Sequence, residues 1–327
     1  MAFSLSMSFL VGSLALLLLA STGEGKLVLL PAKFSPNYYK KTCPDVQNVV
    51  RTVMARRVDM APAILRLFFH DCFVNGCDAS VLLDRTDSME SEKDAEPANK
   101  SLAGFDVVDE IKAALEHECP ATVSCADILA LASRDAVALL GGPSWGVPLG
   151  RLDSRRANKE AADGDALPSP HAGLGELLKV FEEHGLDARD LTALSGAHTV
   201  GKAHSCENYR DRVYGGEGAN DNIDPSFAAL RRHSCEQGSG EAPFDEKTPT
   251  VFDNRYFQDL LARRGLLTSD QELHTDGGPV SDLVELYATN RKAFFADFAE
   301  AMVKMGDMRP PMLMPVEVRL NCRMVNY

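Results

Sequence analysis

Eight cysteines, at positions 43, 72, 77, 119, 125, 206, 235 and 322, constrain this 327-residue chain more than any other feature. They follow an apolar segment, Phe9 to Ala20, that ends in the small-residue run "ASTGEG". That segment is too short for a comfortable membrane span and reads as a secretory signal peptide, residues 1–25, cleaved between Ala20 and Gly25. Its first residues, "MAFSLSMS", lack the usual Lys or Arg. An even cysteine count behind such a leader predicts disulfides, with about 105 pairings open to sequence alone. No CxxC pair favours zinc instead. A formal net charge of -13 disfavours nucleic acids and anionic membranes as partners. No later apolar run reaches membrane length, so the mature chain is expected to be soluble.

Helical periodicity dominates residues 26–327, read as a single domain. "FDVVDEIKAALEH" spaces Val108, Ile111 and Leu115 along one face. "SCADILALASRDAVALLGGP" starts on a Ser124 cap and stops at Gly141-Gly142-Pro143. "GLGELLKVFEEHG" ends on Gly185, and "NRYFQDLLARRG" and "ATNRKAFFADFAEAMVKMG" read as further helices. Strand signals are scarce. The loop "ADGDALPSPHAG" at 162–173 is the expected divide between two lobes.

Four stretches carry chemistry. In "AILRLFFHDCFVNGCDAS", Arg66 and His70 fall one turn apart on one helix face. Such a histidine commonly serves only packing, but beside a fixed guanidinium it can move a proton while developing negative charge is stabilised. Asp71, Asp78 and Ser80, with turn carbonyls near Val74 and Gly76, offer oxygens to a hard cation. "LSGAHTVG" holds His198 at a helix end, and "SDQEL" holds Asp270. "FDEKTPTVFDN" is again rich in oxygen ligands.

In order and spacing these stretches, together with "SEKDA", "VPLGR" and "GGPSW", resemble the secreted plant-type (class III) haem peroxidases from about Tyr39 to Cys322. The resemblance implies a mainly α, two-lobed fold with haem b between the lobes. His198 would be the proximal iron ligand, with Asp270 accepting its other ring N–H and raising its anionic character. His70 would be the distal base, Arg66 its cationic partner and Phe69 part of the haem pocket. The implied reaction reduces hydrogen peroxide to water and oxidises phenols or other small aromatic donors one electron at a time, through ferryl and porphyrin-radical intermediates. Pro168 would help orient those donors. Asp71, Val74, Gly76, Asp78 and Ser80, with Glu92 through water, match a distal calcium site. Thr199, Asp245, Thr248, Val251 and Asp253 match a proximal one. The implied disulfides are Cys43–Cys119, Cys72–Cys77, Cys125–Cys322 and Cys206–Cys235. Asp127 and Arg151 match a buried ion pair. Phe69 and Phe244 stand where intracellular relatives carry tryptophan, which favours small donors over a protein donor. Trp145 is read as structural.

Three departures qualify the match. The family usually places an asparagine behind the distal histidine, where a gapless count puts Ala98. The nearest asparagine, Asn99, opens the sole N-x-S/T sequon, Asn99-Lys100-Ser101. It is expected to be exposed and open to glycosylation, leaving His70 less well held unless Asn99 itself substitutes. Cys206 lies one residue further from His198 than is usual. His204 is rejected as an iron ligand because it lies beyond the "HTVG" turn. His117, His171, His184, His233 and His274 are read as surface or loop residues, with His171 near the haem edge. The methionine-containing tail "MRPPMLMPVEVRLNCRMVNY" replaces the usual glycine-containing loop. Five residues follow Cys322, so no vacuolar extension is expected, and the protein is read as a monomer secreted to the extracellular space or cell wall. The alternatives are a haem-free or catalytically weak calcium-binding relative in the wall, and a zinc hydrolase using His70 and His198.

Overall fold

Helix after helix follows the apolar spacing of the sequence. A computed structural model describes residues 33–215, 222–236, 240–275, 277–312 and 314–327; the predicted signal peptide lies outside them. In the first half run α1 (Val46–Arg56), α2 (Ala61–Asn75), α3 (Phe105–Glu118), α4 (Cys125–Leu139) and the short α5 (Lys159–Asp163). Next come α6 (Leu174–Glu183), α7 (Ala188–Ser195), α8 (Arg210–Tyr214) and α9 (Pro225–Glu236). Then follow α10 (Arg255–Leu261), α11 (Thr268–Gln271), α12 (Pro279–Thr289) and α13 (Arg291–Gly306). Four two-residue strands form two antiparallel pairs, Asp153–Ser154 with Val316–Glu317 and Lys202–Ala203 with Ala242–Pro243.

The start and stop signals have identifiable partners. The Ser124 hydroxyl accepts from the Asp127 N–H and opens α4. One predicted element differs: "ATNRKAFFADFAEAMVKMG" is not a single helix. Asn290 interrupts it, its side chain accepting from the Ala293 N–H, so α12 ends at Thr289 and α13 begins at Arg291. An asparagine carboxamide competes with the helical backbone for such donors, which is why it serves better as a cap than as an interior residue.

The largest buried apolar cluster runs from Tyr39 to Cys322 and draws on α1 to α4, α6, α7, α10, α12 and α13. A smaller cluster gathers Ala203, Tyr209, Val213, Phe227 and Leu266. Disulfides join Cys43–Cys119, Cys72–Cys77, Cys125–Cys322 and Cys206–Cys235, the pairing that the resemblance implied. Closing a 197-residue loop, Cys125–Cys322 ties the tail to the start of α4. The tail also presses on the turn after α2: a side chain at Gly76 (φ +85°) would sit 2.6 Å from the Arg309 carbonyl carbon, so only glycine fits.

Asp127 and Arg151 form a wholly buried pair, Nη1 to Oδ1 at 2.8 Å. The Tyr39 hydroxyl and the Gly150 N–H donate to Asp127 Oδ2, and Arg151 also donates to the Gly306 carbonyl. Removing one member leaves a buried charge without its partner. Asp127→Ala should therefore cost about 3–5 kcal/mol, whereas Arg56→Ala, which breaks an exposed pair with Glu110, should cost about 1 kcal/mol or less. Urea unfolding of the two variants under oxidising conditions checks this.

Candidate active site

Helix α2 supplies the first half of the site. Pro62 sits in its first turn, where a missing N–H costs nothing, and Gly76 terminates it. The helix is largely apolar, and two of its four polar residues, Arg66 and His70, share a face. His70 is buried, and its Nδ1 lies 2.6 Å from Asn99 Oδ1. An amide oxygen only accepts, so Nδ1 carries the proton and Nε2 bears the lone pair. Arg66 Nε donates to that lone pair at 3.2 Å. Burial first, and the Arg66 charge second, push the His70 pKa down to about 3, against the opposing Asn99 bond. The ring is therefore neutral at ordinary pH. Phe69 is half-buried, edge-on to His70 and packed on Phe73.

The segment at 98–101 holds both groups. Arg66 Nη2 donates to the Ala98 carbonyl at 2.9 Å and Nη1 to the Ser101 hydroxyl at 2.9 Å. Asn99 completes its own bonding by donating from Nδ2 to the Glu92 carbonyl at 2.8 Å. The expectation of an exposed sequon is thus corrected: Asn99 is 2% exposed and hydrogen-bonded at both ends of its carboxamide. The turn closed by the Asn99 N–H on the Ala95 carbonyl aims Asn99 inward, so a residue count alone selects the wrong neighbour. Ser101 and the Ala98 carbonyl had no motif that could announce them.

Immediately behind His70, four acidic or hydroxyl side chains are buried. Asp71 Oδ1, Asp78 Oδ2, Ser80 Oγ and Glu92 Oε2 lack any hydrogen-bond partner. Desolvation pushes Glu92 up to about 7 and Asp78 up to about 6, and raises Asp71 well above the carboxylate range. Unpaired oxygens in that setting suit a hard cation. Among the described residues, no group of three or more His, Cys, Asp or Glu side chains stands as a metal cage by itself, so carbonyls, at Val74 and Gly76 in the predicted set, would have to contribute.

The second half comes from α7, the 3-10 turn Gly196–Thr199 and α11. His198 Nδ1 lies 2.7 Å from Asp270 Oδ1, and Nε2 makes no hydrogen bond among the described residues. The ring is only about one-third exposed and stacks on Phe244 at 4.1 Å and 2°. The strand pair 202–203 with 242–243, and the Phe244 N–H bond to the Gly201 carbonyl, place that phenylalanine. Asp270 also accepts from the Leu267 N–H and from the Tyr256 hydroxyl. Tyr256 was not singled out in the sequence, although "FDNRYF" lies next to the oxygen-rich run that was. A histidine with one nitrogen fixed by a carboxylate and the other open is fit to ligate iron, and the half-buried Phe69 and Phe244 rings suit a flat apolar cofactor.

The remaining predicted residues fall as follows. Pro168 is half-buried, in a segment tied to α11 by the Ser269 N–H on the Pro170 carbonyl. Thr199 Oγ1 donates to Asp253, and Thr248 Oγ1 to Asp245 at 2.6 Å; the Val251 N–H bonds to the Thr248 carbonyl. These hydroxyls each have a carboxylate partner, unlike the four oxygens behind His70. His117, His171, His204 and His233 are exposed and His274 is half-buried in a turn. His184 departs from its surface reading: it stacks on Phe73 at 4.4 Å, and its two nitrogens lie 2.7 Å from the Val180 and Phe73 carbonyls, bracing α6 against α2.

A family model described as Peroxidase matches residues 46–290. Similar curated proteins include Peroxidase 67 of Arabidopsis thaliana, 46% identical over 95% of this chain and 97% of that one. Peroxidase 4 of Vitis vinifera is 46% identical over 90% and 92%. Lignin-forming anionic peroxidase of Nicotiana sylvestris is 48% identical over 85% and 87%. The family implies a haem cofactor, with hydrogen peroxide and aromatic donors as substrates, and its plant members are secreted. No described helix is long and apolar enough to cross a membrane. The mainly helical fold agrees with these comparisons, and the chain belongs to the secreted plant-type (class III) haem peroxidases.

Proposed function

We propose that His70 and Arg66 carry out the peroxide chemistry of this peroxidase, with Asn99 rather than residue 98 holding the base. The observation that carries the proposal is the 2.6 Å contact between His70 Nδ1 and Asn99 Oδ1. It fixes the tautomer that puts the lone pair on Nε2, where a peroxide proton would take the place of the Arg66 Nε hydrogen bond. When bound, haem supplies the redox chemistry, taking up two oxidising equivalents from peroxide and passing them to donors singly. Nε2 takes the proton from one peroxide oxygen and delivers it to the other, which departs as water. Arg66, with Nη1 and Nη2 fixed by Ser101 and Ala98, presents its cationic plane to the charge that develops as the O–O bond breaks. His198 would hold the iron through Nε2, with Asp270 fixing the ring.

The cofactor is read as haem b. A calcium ion is assigned to Asp71, Asp78 and Ser80, with the Val74 and Gly76 carbonyls and Glu92 in support; the unpaired buried oxygens there favour it. A second calcium at Thr199, Asp245, Thr248, Val251 and Asp253 rests on the chemistry of its donors. Phenols or related small aromatics are the proposed donors, with Pro168 bordering their site. The protein is read as a monomer of the extracellular space or cell wall.

Stopped-flow absorbance of the haem-loaded protein mixed with peroxide tests these roles. His70→Ala should slow the peroxide step by roughly 10²–10⁴-fold, and Asn99→Ala by about tenfold or more, the worth of one buried hydrogen bond. Adding Ala98→Asn to Asn99→Ala should not restore the rate; restoration would return the role to position 98. Because the basic form of His70 predominates above its depressed pKa of about 3, the rate should be flat from pH 8 to about 5 and fall only as the ring protonates. A fall centred near pH 6–7 that persists in saturating calcium would contradict the neutral, buried ring.

Asn99 is 2% exposed, so a glycan on Nδ2 has no room while the carboxamide stays behind His70. Peptide mapping of protein made in a secretory host should find Asn99 unmodified in the haem-loaded, active fraction. A glycan at Asn99 in that fraction would overturn its placement behind His70.

A further inference from the structure

We propose that Tyr256 is a positioning residue that sets the electron-donating strength of His198 by acting on Asp270. Tyr256 lies in α10 and is 2% exposed. Its hydroxyl donates to Asp270 Oδ1 at 3.0 Å, and His198 Nδ1 donates to the same oxygen at 2.7 Å. The other carboxylate oxygen is taken by the Leu267 N–H at 2.9 Å. Among the described residues, no other side chain hydrogen-bonds Asp270. The Tyr256 and His198 rings stand edge to face, with centroids 6.1 Å apart and planes at 82°. Burial, and then the charge of Asp270, oppose ionisation of Tyr256, so the phenol remains a donor.

Two donors on one oxygen compete for its electron density. Hydrogen bonds to an ionised group are about twice as strong as neutral ones, and in a buried network each bond alters its neighbours. The Tyr256 bond therefore draws charge from the oxygen that polarises the His198 N–H. With Tyr256 in place, the imidazole carries less anionic character than the His198–Asp270 pair alone would give it. Without the phenol the carboxylate pulls harder on the Nδ1 proton, Nε2 becomes a stronger donor, and ferric iron is favoured over ferrous.

The inference rests on His198 as the haem ligand. Its test is a spectroelectrochemical titration of the haem-loaded protein, joined to resonance Raman of the ferrous iron–histidine stretch. Tyr256→Phe should favour the ferric form by about three- to tenfold at fixed potential, a midpoint shift of ~30–60 mV to the negative for a one-electron couple, and should raise the stretching frequency. Asp270→Asn should move both readouts the opposite way. A merely structural loosening would move the two variants in the same direction, which would overturn the proposal, as would an unchanged midpoint in Tyr256→Phe. If Tyr256→Phe does not fold, the protein labelled throughout with 3-fluorotyrosine, a more acidic phenol, should shift positive; no shift overturns the role. A wild-type protein that binds haem without an iron–histidine stretch would instead refute the ligand assignment of His198.

Discussion

Four buried side chains with unpaired oxygens, set directly behind the proposed catalytic base His70, are the constraint on which this half of the site depends. Asp71, Asp78, Ser80 and Glu92 are fully buried, and burial raises the three carboxyl pKa values. Such a cluster is stable only if protonated or neutralised by a cation. Arg319 in the tail is fully buried and donates to the Ala79 carbonyl, and its charge favours ionisation of Asp71, Asp78 and Glu92. One guanidinium does not balance three carboxylates, and the proposed calcium would supply the remainder.

From this cluster a short line of bonds reaches the chemistry. The Glu92 carbonyl accepts from Asn99, Asn99 accepts from His70, and Arg66 is fixed by the residues on either side of Asn99. Position and tautomer of the proposed base are therefore set by a segment that carries no catalytic group of its own, whereas burial and the Arg66 charge depress its pKa. On the opposite side the order is similar but the physics differs. A carboxylate holds His198, and Tyr256 moderates the carboxylate. One histidine is kept neutral, with its lone pair on Nε2 for the proposed proton transfer; the other is placed against a carboxylate for its proposed role as electron donor to iron.

Much of this was legible in the sequence because it depends on local spacing. Arg66 and His70 follow from helical periodicity, and His198 and Asp270 from motifs that remain recognisable at a distance. Cysteine pairing was not derivable from spacing, yet the family resemblance implied the pairs that the structure joins. What escaped was decided by tertiary geometry. Asn99 reads as an exposed sequon because the turn at 95–99, which aims it inward, has no signature that distinguishes it from a surface loop. Tyr256 is an ordinary aromatic in an amphipathic helix until the fold brings Asp270 to its hydroxyl. The break at Asn290 was missed because the apolar pattern continues through a residue whose side chain prefers to cap.

The account makes the acid cluster and the distal base a single unit, and calcium removal joined to Asn99→Ala tests that unity most directly. The peroxide step would be timed by stopped flow in both proteins, before and after exhaustive chelation, with haem content matched. Coupling through Asn99 predicts that chelation slows the wild-type protein markedly and adds little to the slowing already caused by Asn99→Ala. Equal proportional losses in both proteins would show that the acid cluster and His70 act independently, and would contradict the account.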